Sequence, residues 1–302
     1  MMIVVKVMGG LGNQLFQIAY AIALAKERNN CPIYLDTSAF ETYKIRPFSA
    51  SHLNLPDNIE ILQTDTISSR RNYFYTCTQV LYRILQRIIK ELGFKYQYGR
   101  IPLKLLKPLG LIYNFDTYCY KVNTTGDDLC LYGYFQNEEY FQSVKEEVIE
   151  SFSVLTTPTE IEQNYIDRIN SGTAIAVSMR LGDDYKESGD FVIPGNSYYI
   201  ESLKELSTRY PNASIFIFSD DIIRARKVFK NHRDLTFIEG CKDYQSLRLL
   251  ALCDHYIIAN SSFSWWGAYL SKNENKKVIA PKEWFTYMDE VNNIYSSNME
   301  KR

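Results

Sequence analysis

The stretch Asn260–Ala268 carries more hydrogen-bonding side chains than a junction between a buried strand and a helix needs. It reads NSSFSWWGA and follows an apolar run. Capping a helix takes one side-chain oxygen, whereas Asn260, Ser261, Ser262 and Ser264 supply four polar groups. Spare hydroxyls beside free N–H groups, at the positive end of a helix dipole, favour an anion by about 0.3–2 kcal/mol per charge. The segment therefore predicts an anion site.

Arg180 follows another apolar run, Ile175–Met179, and stands just before Leu-Gly. A guanidinium at that end of a strand can bind two oxygens of a phosphate or diphosphate at once. Asp183 or Asp184 can anchor the arginine or act on a substrate proton. A surface Arg–Asp pair at a strand end is the alternative interpretation.

Ser219, Asp220 and Asp221 follow a third apolar run. Acidic side chains at this position can bind ribose hydroxyls or a purine ring, and they can equally cap the helix that follows. The carboxylates are adjacent rather than in the spacing of a metal–diphosphate motif. Cysteines and histidines show no zinc-site spacing, so the sequence predicts no metal ion.

Three glycines, Gly9, Gly10 and Gly12, separate the apolar strand Ile3–Val7 from a long apolar helix. The loop is not a dinucleotide fingerprint, and it lacks the Lys-Ser/Thr of a phosphate loop. It retains a helix N-terminus with free N–H groups and glycines that allow close approach. Asn13 and its neighbour Gln14 can read hydroxyls or a phosphate. A tight turn capped by Asn13 is the alternative.

The elements that carry these motifs alternate regularly in the second half of the chain. Apolar runs predict strands at 173–179, 214–218, 236–238, 255–259 and 277–280, with helices between them. Such alternation predicts a parallel sheet, whose ligands bind beyond the carboxyl ends of the strands. The chain opens as a βαβ unit, with Asn13 as the N-cap of a helix that runs through Arg28. A length of 302 residues predicts two domains, 1–155 and 156–302.

The middle of the chain is basic and irregular. The stretch from residue 66 to residue 107 contains nine Lys or Arg residues and a single acidic residue, Glu91. An apolar stripe runs alongside three of these bases and consists of Leu81, Ile84, Leu85, Ile88, Ile89 and Leu92. A basic amphipathic helix can lie on an anionic membrane. It can also pack on its own domain and leave its basic face in water.

Composition excludes several classes of protein. A net charge of −1 with three histidines argues against a nucleic-acid binder. The six cysteines are expected to be reduced, as in a cytosolic protein. The start of the chain lacks the pattern of a signal peptide, and no apolar run approaches the ~20 residues of a membrane span. We expect a cytoplasmic protein, with peripheral contact at the inner membrane face through residues 80–107 as a hypothesis.

Four motifs together resemble the bacterial type of α-1,2-fucosyltransferases of glycosyltransferase family 11. In chain order they are GGLGNQLFQ at Gly9–Gln17, SMRLGD at Ser178–Asp183, FSDD at Phe218–Asp221 and IIANSSFSWWGA at Ile257–Ala268. The stretch from about Ser38 to Asn170 carries no motif of this kind. The resemblance covers both predicted domains.

The resemblance implies an α/β fold of the GT-B type, with two facing Rossmann-like domains. The N-terminal domain, with its irregular basic insertion, would hold the acceptor, and the C-terminal domain would hold GDP-β-L-fucose. Fucose would pass with inversion to O2 of a galactose-terminated oligosaccharide or lipid-linked glycan in surface glycan synthesis, without a metal or other cofactor. Another linkage, another GDP-sugar and an inactive nucleotide-sugar or glycan binder are the alternatives.

The resemblance also implies roles for individual residues. Arg180 would hold the donor diphosphate, and Asp183 or Asp184 is a candidate base. The other donor-binding positions would be Gly10, Gly12, Asn13, Ser178, Ser219, Asp220, Asp221, Asn260, Ser261, Ser262, Phe263 and Ser264. The sequence departs from the family where Ser178 replaces a histidine, Leu181 an arginine and Ser246 an acid. These departures bear on how guanine is recognised more than on the reaction.

Overall fold

The chain is seen in a computed structural model that describes residues 1–42, 46–63, 66–93, 100–120, 128–183, 189, 191–286 and 294–302. It divides into two compact units. The first comprises Met1–Phe152 and Tyr287–Tyr295, and the second comprises Ser153–Thr286 and Ser296–Arg302.

The first unit is built on a five-stranded parallel sheet. Its described elements are β1 (Met2–Lys6), α1 (Leu11–Lys26), β2 (Ile33–Asp36), α2 (Ala39–Thr42), β3 (Ile59–Ile61), α3 (Ser69–Glu91), α4 (Arg100–Leu106), β4 (Leu111–Asn114), β5 (Asp128–Gly133) and α5 (Lys145–Ser151). The strand order is β3-β2-β1-β5-β4. The predicted βαβ opening is confirmed. The middle of the chain is more regular than expected, because short strands there complete the sheet.

Helix α1 begins earlier than predicted. It starts at Leu11, with Gly10 in the N-cap position, so the prediction that Asn13 caps it is wrong. Asn13 lies inside the first turn instead. The helix is buried on nearly all sides, and even Gln14 and Gln17 are fully shielded from solvent. Its polar side chains must therefore find partners within the protein.

The second unit is built on a six-stranded parallel sheet. Its described elements are α6 (Glu160–Ile169), β6 (Ala174–Met179), α7 (Asn196–Arg209), β7 (Ser214–Ser219), α8 (Ile222–Val228), β8 (Leu235–Phe237), α9 (Asp243–Ala251), β9 (His255–Ile258), α10 (Ser262–Tyr269), β10 (Val278–Ala280) and β11 (Met299–Lys301). The strand order is β11-β10-β9-β6-β7-β8. The predicted alternation is confirmed, and β11 adds a strand at the edge. The order reverses direction between β6 and β9, where ligands of such sheets bind.

Close packing fixes α10 on α9. Trp265 and Trp266 are fully buried, as expected for core anchors. A Cβ atom added to Gly267 would overlap the side chain of Leu250 on α9. The apolar half of the SSFSWWGA motif is thus explained by packing, which leaves its polar half available to act at the sheet edge.

None of the helices, over the residues that the structure describes, is long and apolar enough to cross a membrane. All six cysteines are free. Burial raises the pKa of Cys130 to about 12 and raises that of Cys253 as well. Both thiols are therefore protonated and poor nucleophiles at neutral pH.

Candidate active site

Three neighbouring strands bring the predicted motifs of the second unit to one edge of its sheet. β6 pairs with β7 through Met179 and Ser219, and with β9 through Ser178 and Ile258. Arg180, Asp220 and Asn260 therefore follow adjacent strands at their carboxyl ends. The sheet alone brings together residues that lie 40 and 80 positions apart.

Asp220 anchors Arg180. The Arg180 guanidinium donates Nη1 to Asp220 Oδ2, and each side chain is about one-fifth exposed. The same carboxylate accepts from the backbone N–H of Leu181 at 2.7 Å and of Gly182 at 3.0 Å. Asp220 is thus occupied with positioning the loop after β6 and the arginine. The anchor suggested by the sequence was Asp183 or Asp184, and Asp184 lies outside the described residues.

Arg224, which the sequence did not single out, binds Asp183. Its Nη1 and Nη2 lie 2.6 and 3.2 Å from the two Asp183 oxygens, and Nη1 also donates to the Leu181 carbonyl at 2.8 Å. The bonds to Asp183 raise the pKa of Arg224. A carboxylate paired with a guanidinium through both oxygens is a weakened proton acceptor. This geometry argues against Asp183 as a general base.

Asp221 caps α8, one of the two alternatives for this acidic pair. Its Oδ1 accepts from the Arg224 backbone N–H at 2.9 Å, and its Oδ2 lies 3.2 Å from Arg224 Nε. Ser219 closes the turn before it, since its Oγ accepts from the Asp221 N–H at 3.1 Å. Both residues therefore hold Arg224 and the start of α8 in place.

The start of α10 keeps two hydroxyls and several N–H groups available. Ser261 occupies the N-cap without a side-chain capping bond. Asn260 is fully buried, and its Nδ2 donates to the carbonyls of Val192 and Trp284. In the described part of the chain the hydroxyls of Ser261 and Ser262 make no hydrogen bond. Phe263, in the first turn, is half-buried.

Ser178 and Ser264 connect β6 to α10 across the reversal in strand order. Their Oγ atoms lie 2.7 Å apart, and both side chains are buried. One hydroxyl donates to the other, which gives both of these buried groups a partner within the protein. This hydrogen bond fixes the first turn of α10 beside the loop that carries Arg180. Ser264 can therefore offer only its backbone N–H to a ligand, and Ser178 holds Ser264 in position.

At the corresponding edge of the first unit, the opening loop shows why two of its glycines differ. Gly9 has a φ of +81°, which is unfavourable for any residue with a Cβ atom. A Cβ atom added there would also lie only 2.7 Å from Asn13 Nδ2. Gly10 has a φ of −70°. Its nearest neighbours to an added Cβ are Arg46 side-chain atoms at 3.9 Å. The described chain therefore requires glycine at position 9 and leaves open space at position 10.

Gln14 is structural rather than available to a ligand. Its Oε1 accepts from the N–H groups of Ser49 and Ala50, and its Nε2 donates to the carbonyls of Gly9 and Pro47. Gly12 is buried within the first turn of α1. Among the described residues no side chain caps α1, so the first N–H groups of this helix are available as well.

Asn13 is aimed by a residue that the sequence did not reveal. Gln136, just after β5, donates Nε2 to Asn13 Oδ1 at 2.9 Å. The preceding residue, Phe135, is buried with a φ of +51°, which is a costly conformation for a non-glycine residue. The bond directs Asn13 so that Nδ2 remains a donor. The YFQN segment offers no motif that would identify Gln136.

Metal ligation finds no support among the residues that the structure describes, since no group of three or more His, Cys, Asp or Glu side chains could hold an ion there. The sequence prediction of metal independence remains a prediction.

Comparison with known proteins places these features in a family. The model of glycosyltransferase family 11 matches residues 119–298. An α-1,2-colitosyltransferase of Escherichia coli is 30% identical, over 94% of this chain and 92% of its own length. The O-antigen biosynthesis glycosyltransferase WbnK of Escherichia coli is 24% identical, over 92% and 93% of the two chains.

The fold is shared with a fucosyltransferase of known structure, NodZ. NodZ α-1,6-fucosyltransferase, solved from Bradyrhizobium, superposes with a TM-score of 0.56 in a structure co-crystallised with GDP. The match covers 89% of this chain and 92% of NodZ at 14% identity. The expected α/β fold of the GT-B type, with a Rossmann-like sheet in each unit, is confirmed. The chain belongs to glycosyltransferase family 11 and is a fucosyltransferase-like glycosyltransferase.

Proposed function

We propose that this protein transfers L-fucose from GDP-β-L-fucose to O2 of a galactoside, with inversion at the anomeric carbon. The observation that carries the proposal is the sheet edge of the second unit, where Asp220 fixes Arg180 beside the uncapped start of α10. That arrangement suits a diphosphate leaving group. A relative named as an α-1,2-transferase and a NodZ structure soaked with GDP-fucose support the linkage and the donor.

The chemical difficulty of the reaction is the departure of GDP while positive charge builds on the sugar. Preorganised donors stabilise the charge that develops on the leaving diphosphate. In the proposed site Arg180 supplies two N–H groups as a fork, and the Ser261 and Ser262 hydroxyls and the α10 N–H groups supply further donors. Asp220 keeps the fork in position, so little reorganisation is needed during reaction.

The acceptor hydroxyl must also lose a proton. Asp183 is the base suggested by the sequence, together with Asp184, but Arg224 holds Asp183 through both oxygens. We favour a loose transition state in which the departing phosphate takes the proton. The proposed acceptor is a galactose-terminated oligosaccharide or a lipid-linked glycan.

GDP-colitose is a second candidate donor, because one relative is named as a colitosyltransferase. Colitose is L-fucose without its 3-hydroxyl group. A site that hydrogen-bonds this hydroxyl rejects the deoxy sugar by roughly 10⁴–10⁵-fold, whereas a site that merely accommodates it discriminates weakly, by about 10²-fold. Comparing kcat/KM for GDP-fucose and GDP-colitose therefore identifies the donor and the kind of contact.

The test is incubation of the purified protein with GDP-fucose and a panel of β-galactosides in EDTA, followed by linkage analysis. The Arg180→Ala variant serves as the blank. Fucose α-linked to galactose O2 supports the proposal, including its independence of metal. Another linkage or preference for GDP-colitose replaces it with the corresponding alternative.

Binding of GDP-fucose without turnover on any acceptor would instead indicate an inactive nucleotide-sugar binder. The departures at Ser178 and Leu181 are the features that motivate this alternative. Restoring histidine and arginine at these two positions is then the decisive variant, because recovery of turnover would attribute the loss to them.

A further inference from the structure

Helix α3 is held in the first unit by one narrow face. Tyr75 and Tyr82 are buried against β4 and β5, where the Tyr82 and Tyr113 rings lie 5.4 Å apart. Thr78 Oγ1 lies 2.9 Å from the Tyr113 hydroxyl on the same side. Ile89 continues this buried face toward the end of the helix. These contacts account for the inward side of α3.

The opposite side of α3 is also apolar, and it is exposed. Ile84 follows Tyr75 by nine residues, about 2.5 turns, so the two side chains point in opposite directions. The exposed large apolar residues on or next to this helix are Tyr73, Phe74, Val80, Leu81, Ile84, Leu85, Ile88 and Leu92. The helix thus packs on its own unit, as one of the two alternatives had it, but of the predicted apolar stripe only Ile89 takes part in that packing and the other five members are exposed.

Basic residues flank this outward face. Arg83 and Arg87 are exposed on α3, and the Arg83 guanidinium at the margin of the helix also lies 4.8 Å from the centre of the Phe115 ring and donates to Gln86. Arg100 and Lys104 are exposed on the neighbouring α4. Leu105, 66% exposed on α4, and Leu109, 59% exposed just after it, are further exposed apolar side chains of this part of the chain. A broad apolar face with Lys and Arg along its margins is the pattern of a helix that lies in a membrane interface.

We propose that the outward face of α3 docks on an anionic lipid surface, with its apolar side chains at the boundary between headgroups and acyl chains. Charge complementarity selects this occupant. Two copies of α3 in contact would bring Arg83 and Arg87 of both chains together with almost no acids to offset them, whereas anionic headgroups match them. The surface extends the proposed reaction and does not depend on its donor or linkage.

The test is co-sedimentation with vesicles of equal parts phosphatidylcholine and phosphatidylglycerol, compared with vesicles of phosphatidylcholine alone. The variant Leu81→Gln/Ile84→Gln/Leu92→Gln removes part of the outward face. The matched control Leu155→Gln/Ile161→Gln/Leu252→Gln changes the same residue types at exposed positions of the second unit. Thermal unfolding and GDP binding check that both variants remain folded.

The wild type and the control should sediment with anionic vesicles, and the α3 variant should bind them roughly tenfold or more weakly. An Arg83→Gln/Arg87→Gln variant should lose preference for anionic over neutral vesicles. Equal sedimentation with and without vesicles, or equal binding by the α3 variant and its control, overturns the proposal. Self-association without lipid that the α3 variant abolishes assigns the face to a second copy instead.

Discussion

Helices α1 and α10 both begin at the carboxyl end of a strand inside a parallel sheet, and neither has a side-chain cap among the described residues. They differ in how their polar side chains are used. At α1 the side-chain amides of Gln14 and Gln17 bind the surrounding backbone, so Asn13 is the amide that can still donate to a ligand. At α10 the hydroxyls of Ser261 and Ser262 are left. One start exposes an amide and the other exposes hydroxyls.

Each unit also has a polar contact where its strand order reverses. Gln136 in the loop after β5 binds Asn13 in the first turn of α1, and Ser264 of α10 binds Ser178 of β6. The first contact orients a side chain that remains a donor, whereas the second buries both partners. The first edge therefore suits recognition of hydroxyl groups, and the second, with Arg180, suits a diphosphate.

The largest expected effect is on the second edge. Arg180→Ala should lower turnover by roughly 10²–10³, the range for removing one preorganised donor. Arg180→Lys should recover part of this loss, because the charge returns without the fork. Arg226→Ala, a matched change at an exposed arginine of the same unit, should leave turnover unchanged in the same GDP-release assay. Near-normal turnover of Arg180→Ala removes this residue from the mechanism.

Two serines of α10 should separate stability from binding. Ser264→Ala leaves the Ser178 hydroxyl buried without its partner and should cost about 1–3 kcal/mol of unfolding free energy. Ser262→Ala should leave the unfolding free energy within about 0.5 kcal/mol and weaken GDP binding roughly three- to tenfold. Urea unfolding and calorimetric titration with GDP measure both quantities. The opposite pattern would show that Ser262 is structural.

Two glycines of the opening loop offer the same separation in the first unit. Gly9→Ala places a side chain at positive φ and should cost about 1–2 kcal/mol of stability. Gly10→Ser introduces a favoured N-cap residue into open space, so stability should hold while turnover falls. Unchanged turnover in Gly10→Ser would mean that no substrate approaches this backbone.

The contact between Gln136 and Asn13 should give a smaller effect, which a double-mutant cycle can isolate. Gln136→Ala and Asn13→Ala should each lower kcat/KM. The double variant should lose less than their sum, with a coupling energy of about 0.5–1.5 kcal/mol. Additive losses would contradict a positioning role for Gln136, since the two residues would then act separately.

The smallest effect concerns the amino end of β9, far along the strand from the site. Burial lowers the pKa of His255, whose Nδ1 accepts from the Lys277 N–H and whose ring stacks on Tyr210. The unfolded chain therefore takes up the proton first as pH falls below about 6.5, and stability declines in that range. His255→Asn should flatten this decline in urea unfolding between neutral and mildly acidic pH. The exposed His232→Asn should leave it intact.

Much of the second unit followed from the sequence. Strands β6, β7 and β9 are largely apolar runs of four or more residues, and such runs identify buried strands before their partner strands are known. Strands β3, β4 and β5 were not predicted, because they lie in an irregular stretch without the regular strand–helix alternation that identified equally short strands in the second unit. The start of α1 was misplaced by three residues, because Asn13 is a typical N-cap residue whereas the actual N-cap, Gly10, has no side chain that could identify it.

The sequence by itself determined the family and the strand ends at which the polar motifs lie. It also determined that α3 carries an apolar stripe with basic residues beside it. Each of these features depends on residues close together in the chain. The tertiary structure decided the partners. Asp220 rather than Asp183 anchors Arg180 across 40 positions, Ser178 meets Ser264 across 86, and Gln136 meets Asn13 across 123. The order of strands in a sheet sets such pairings. The tertiary structure also decided that most of the apolar stripe of α3 is exposed, because Tyr75 and Tyr82 occupy the side of the helix that packs on the sheet.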